Sequence, residues 1–161
     1  MKSRRAFLKS SFFTTTLFVM SGDKLFATIT PLQTLQVVQK DLFPQEMIDD
    51  ANAFAYLSIV LKHSRISNEE KKFLQNGVKW LNEEAVKMYK EVYVNLNAKE
   101  RDLVLQSIAA TSWGENWIYN LLSYIMESVL GHPIYGINKK ESGWKWLDFN
   151  SGEPRPKKAY L

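Results

Sequence analysis

The chain has 161 residues, 45% of them hydrophobic and 24% charged, which is enough apolar mass for one globular core and too much for a disordered tail. A net charge of +4 would suit nucleic acid or an anionic membrane, but residues 1–27 hold five bases against one acid and the remainder balances sixteen of each, so no nucleic-acid partner is expected. The absence of cysteine excludes thiolate iron-sulfur sites, covalent c-type haem, a catalytic thiol and disulfides.

Arg4 and Arg5 stand directly before a short apolar stretch from Ser10 to Met20, the order of the charged and apolar regions of an export signal. Ser3, Arg4, Arg5, Phe7, Leu8 and Lys9 match the twin-arginine motif that the Tat translocase reads. A basic N-terminal arm is the bland alternative and a membrane anchor the rival. An anchor needs about 20 apolar residues, whereas Thr14, Thr15 and Thr16 interrupt this stretch and Gly22, Asp23 and Lys24 end it. Residues 1–27 are therefore expected to be a signal peptide, cleaved after Ala27 or retained, and the protein to be periplasmic.

Residues 28–130 read as a small all-α bundle. Leu35, Val38 and Leu42 recur at helical spacing until Pro44, which stops one helix and suits the first turn of the next. That second helix is expected to carry Met47, Ile48, Ala51, Ala55, Leu57, Ile59 and Leu61 without interruption and to fade near His63. Ser67 and Glu70 have the spacing of a capping box, opening a helix whose apolar face runs through Phe73, Leu74, Val78, Leu81, Ala85, Met88, Tyr89 and Val92. Asn97 and Glu100 repeat the device before Leu103, Leu105, Ile108 and Ala109. A bend near Ser112 to Gly114 leads into Trp117, Ile118, Leu121, Leu122, Tyr124, Ile125, Val129 and Leu130, closed by Gly131 and Pro133. The uncharged run Asn116–Met126 is too short to span a bilayer, and no strand alternation or internal repeat interrupts the pattern.

Few side chains invite chemistry. The sequence contains no dinucleotide, P-loop or nucleophile-elbow motif, and His63 and His132 lie too far apart for a zinc spacing. Both histidines suit helix-end or turn roles. The adjacent carboxylates Asp49–Asp50, Glu69–Glu70 and Glu83–Glu84 would diverge on helices and read as solvated faces. Trp113 and Trp117 could form a stacking platform, but with Leu121 at the same spacing they read as core.

Residues 131–161 differ from the rest. Four of the seven glycines and three of the five prolines fall there, so an irregular tail is expected, yet it holds Tyr135, Trp144, Trp146, Phe149 and Tyr160. Bulky aromatics on irregular backbone need a surface to lie on. Either the tail folds back on its own helices or it docks onto another subunit, and composition leaves the two open.

Gly131-His132-Pro133-Ile134-Tyr135-Gly136-Ile137-Asn138, followed by Gly143-Trp144-Lys145-Trp146 and Gly152-Glu153-Pro154-Arg155-Pro156, resembles the C-terminal signature of the gluconate 2-dehydrogenase subunit 3 family. Thr34 to Pro44 resembles that family's opening segment, and Ile137 departs from it where a glycine is usual. The resemblance implies a non-catalytic small subunit of a periplasmic, membrane-associated complex. In such a complex an FAD-dependent, GMC-type large subunit oxidises a sugar acid or polyol and a cytochrome c subunit carrying haem c accepts the electrons. It implies no cofactor in this chain and a role in export, assembly and stability of the flavoprotein. Pro133, Tyr135, Gly136, Asn138, Gly143, Trp144, Lys145 and Trp146 become the expected docking residues. The rival reading is a free-standing periplasmic ligand-binding protein with an aromatic platform.

Overall fold

The computed structural model describes residues 30–159. The twin-arginine motif and the expected cleavage site lie outside them. From Pro31 onward the chain forms seven α-helices, and no strand occurs among the described residues. These are α1 (Pro31–Leu42), α2 (Gln45–Ala51), α3 (Ala53–Lys62), α4 (Asn68–Tyr89), α5 (Ala98–Ala109), α6 (Ser112–Leu130) and the short α7 (Ser142–Trp146), with single 3-10 turns at Tyr93–Asn95, Pro133–Tyr135 and Lys139–Glu141. The architecture is all-α, as the periodicity requires.

Local chemistry sets most of the boundaries. Ser67 Oγ accepts the Glu70 amide at 3.1 Å at the start of α4. Asn97 and Glu100 form a complete capping box at α5, each side chain taking the other's amide. At α4 the box is only half made, because the Glu70 carboxylate turns away from its own helix end to accept the Tyr124 hydroxyl. Thr111 caps α6 by accepting the Gly114 amide at 3.1 Å, so the break falls at Ala110–Thr111 and Gly114 lies inside the helix.

The long helix expected after Pro44 is two helices. Asn52 interrupts it in a left-handed conformation (φ 56°) that asparagine tolerates better than most residues. The break rotates the following turn, so Val60 is buried and Ile59 is 44% exposed. Met88, Leu103 and Ala109 also lie outside the core. In α5 it is Val104, with Leu105 and Ile108, that is buried where the helix packs on α4 and α6.

Helix α6 touches each of the other six helices and is the axis of the fold. One core gathers Leu35, Leu57, Leu74, Leu81, Ile108, Trp117 and Leu121 around it; a smaller one joins Ala51, Ala53, Ile125 and Val129 nearer its C-terminal end. At an edge of the main core, Arg101 grips Asp41 through Nε and Nη2 at 2.8 and 3.1 Å, and the buried Tyr93 donates its hydroxyl to the same carboxylate at 2.8 Å. This charge-assisted fork ties α1 to α5 across 60 residues of sequence.

Candidate functional site

After α6 the chain turns back on itself. Gly131 leaves the helix in an extended conformation (φ −66°, ψ 165°) with the Ile137 side chain lying over it. His132 Nδ1 accepts the Ile134 amide at 3.1 Å, opening the turn Pro133–Tyr135, in which Pro133 and Tyr135 are half-buried. Gly136 then takes a left-handed conformation (φ 78°) that a side chain would strain, and its carbonyl accepts the Asn52 side-chain amide at 3.0 Å. The helix break at Asn52 and the tail turn thus hold each other.

Asn138 is the joint. Fully buried and left-handed (φ 45°), it donates its backbone amide to Ala51 at 3.2 Å and Nδ2 to the Gly131 carbonyl at 3.0 Å, while Oδ1 accepts the Gly143 amide at 2.8 Å. The two positive-φ positions of this turn are Gly136 and Asn138, so Ile137 stands where the family's usual second glycine is not needed and buries its side chain instead. Gly143 lies so close to the Val129 carbonyl that no Cβ would fit.

The tail is not uniformly irregular, because its one helix, α7, sorts the aromatics. Trp144 faces inward at 6% exposure, donating Nε1 to the Leu130 carbonyl at 2.7 Å. His132 and Phe149 meet it edge to face at 5.5 and 6.0 Å, and the Arg155 guanidinium sits 5.7 Å above its ring. Lys145 and Trp146 face outward. Trp146 is 53% exposed and rests one edge on Phe43 at 5.9 Å; beside it Leu147 and Phe149 are about as exposed. Asn138, Gly143 and Trp144 therefore hold the tail to its own helices, and Lys145 and Trp146 stand on an outer apolar face with Leu147 and Phe149. Exposed apolar faces of this kind mark contact sites.

The family model of gluconate 2-dehydrogenase subunit 3 matches residues 29–152. The chain belongs to that family. The match takes in α1 to α7 and every residue of the tail turn, and residues 1–28 lie outside it. No curated protein and no solved structure matches the chain.

Other features of this subunit 3 chain serve the fold. Trp117 is fully buried over Gly77 and donates to the Leu74 carbonyl at 3.1 Å, so it cannot be half of a platform. Trp113 instead meets Trp80 edge to face at 5.1 Å beside an open groove of about 530 Å³. The carboxylates there are spoken for: Glu83 lies 3.9 Å from Lys79, and Glu84 accepts from Ser107 and Lys87 at 2.8 and 3.0 Å. The bond from Ser107, then that from Lys87, holds the Glu84 carboxyl below the ordinary glutamate range. His63 ends α3 in a turn role, its Nδ1 accepting the Arg65 amide at 3.1 Å. Among the described residues no three His, Asp or Glu converge as metal ligands.

Sequence reasoning missed Asn52 and Phe43. Asparagine inside a helical pattern is a weak local signal for a left-handed break. Phe43 carries none, since only the fold brings Trp146 to it.

Proposed function

We propose that the chain is the small, non-catalytic subunit of a periplasmic gluconate 2-dehydrogenase-type complex, docking through its tail to the FAD-dependent, GMC-type large subunit. That flavoprotein would oxidise a sugar acid or polyol and pass electrons to a cytochrome c subunit carrying haem c. Membership in the subunit 3 family carries the reading. The exposed face of Trp146, Leu147 and Phe149 supports it physically: large rigid side chains on a backbone fixed by Asn138 and Gly143 lose little entropy on docking.

On this reading the chain needs no cofactor. It has no thiol and no dinucleotide loop, and Asn138 and Trp144 of its tail are engaged in holding the tail to α6. Its function is then assembly, stability and export of the flavoprotein. The Ser3–Lys9 motif would direct the pair to the Tat translocase, which suits a partner folded around FAD before export. Purification of the native complex through a tag on this chain tests the reading. Stoichiometric flavin and c-type haem absorption should accompany the tagged chain, and a colourless single polypeptide would overturn it.

A further inference from the structure

A half-open cavity of about 430 Å³ lies between α3, the turn at residues 63–66, the start of α4 and the end of α6. Its walls are aliphatic where Ile59, Val60 and Ile66 stand, and Ile59 forms an exposed lip. Two phenol–carboxylate pairs complete it. Tyr56 donates its hydroxyl to Glu127 Oε2 at 2.6 Å, and Tyr124 donates to Glu70 Oε1. Burial, followed by the adjoining carboxylate, raises both phenols well above their ordinary range, and Glu127 and Tyr56 also act on Tyr124, so the four groups form one cluster.

Charge in this cavity is not balanced. A phenol donates a hydrogen bond but brings no positive charge, and neither Glu70 nor Glu127 makes an ion pair among the described residues. Among the described residues no donor reaches Glu70 Oε2 or Glu127 Oε1. Arg65 lines the cavity without an ion pair to either, and His63 Nδ1 accepts the Arg65 backbone amide. The Trp80–Trp113 groove has no such demand, because its carboxylates already hold lysines. Among the described residues no third carboxylate or histidine joins Glu70 and Glu127 as a metal-ligand group. A single positive group with an aliphatic stem meets both the free oxygens and the walls, within the size range of ligand pockets.

We propose that this cavity binds a monocation on an aliphatic stem, an alkylammonium or alkylguanidinium group, with Glu70 and Glu127 holding the charge and Ile59, Val60 and Ile66 the stem. The site stands apart from the tail face and does not depend on the docking reading. Titration of the full chain with n-butylammonium chloride, followed by amide NMR, should shift residues of α3, the 63–66 turn and the end of α6 in a saturable way. Sodium butyrate, n-butanol and sodium chloride at matched ionic strength should not.

Glu127→Gln and Glu70→Gln keep an acceptor for each phenol while removing the charge, so each should weaken butylammonium binding about tenfold. Glu127 is exposed, so that variant reports on the site even if Glu70→Gln disturbs the fold. A capped tripeptide with central lysine binding more tightly than butylammonium would assign the source to a protein side chain; the reverse order would assign it to a free amine. Butylammonium shifts no larger than those of sodium chloride would overturn the proposal, as would equal binding of butyrate or undiminished binding by both variants.

Discussion

The indole of Trp144 donates to the Leu130 carbonyl at 2.7 Å, which satisfies one of the free carbonyls at the C-terminal end of α6 and fixes α7 against it. The bond makes Trp144 part of this chain's own core. Trp144→Ala should remove about 3 kcal/mol of stability from the isolated subunit, lowering its Tm by roughly 10 °C for a domain of this size. Thermal denaturation by circular dichroism checks this, and an unchanged Tm would contradict the placement.

Trp146 should behave in the opposite way. Half exposed and resting on Phe43 by one edge, it contributes little to the isolated fold, and Trp146→Ala should cost less than about 1 kcal/mol there. If the outer face docks the flavoprotein, the same change should weaken co-purification by roughly 2 kcal/mol or more. Full recovery of the flavoprotein with Trp146→Ala and Phe149→Ala combined would remove the tail face from the interface.

The Asp41–Arg101 fork is mostly shielded from solvent, with side chains 16% and 21% exposed. Arg101→Ala would leave Asp41 with only the Tyr93 hydroxyl and the Leu96 carbonyl without its guanidinium donor. A loss of about 2 kcal/mol is expected, readable as a lowered urea midpoint. Arg101→Lys should recover only part of it, since a lysine cannot span both carboxylate oxygens.

Burial and neighbouring carboxylates raise the phenols of Tyr56, Tyr93 and Tyr124 in the folded state, Tyr93 most of all. A folded value above the unfolded one gives stability that is complete below the ordinary phenol value of about 10 and is lost as pH rises beyond it. Tyrosinate absorbance should therefore report these three groups together with unfolding at alkaline pH. The acid side runs the other way through Glu84, whose lowered value gives stability present at neutral pH and lost as pH falls through it. Glu84→Gln should flatten that acid slope.

Arg4→Lys and Arg5→Lys together should strand both this subunit and its flavoprotein in the cytoplasm if one leader carries the pair. Fractionation with antibodies to each chain measures it, and a flavoprotein that reaches the periplasm without this subunit would end the carrier idea.

Helices were legible in the sequence because their causes are local. A capping pair such as Asn97 and Glu100 acts over three residues, the apolar spacing of α4 and α6 over one or two turns, and Pro44 at its own position. The aromatic tail signature likewise singled out Asn138, Gly143, Trp144 and Trp146. What composition could not divide was which of these face inward, because the answer depends on Val129 and Leu130 lying under α7 and on Phe43 arriving from the end of α1. The break at Asn52 was hidden for the same reason: its partner, the Gly136 carbonyl, is 84 residues away. The cavity of Tyr56, Glu70, Tyr124 and Glu127 is built wholly by tertiary packing, since no spacing within one helix unites residues of α3, α4 and α6. Charge imbalance there arises only when chain segments that are separately neutral in meaning are folded onto one wall.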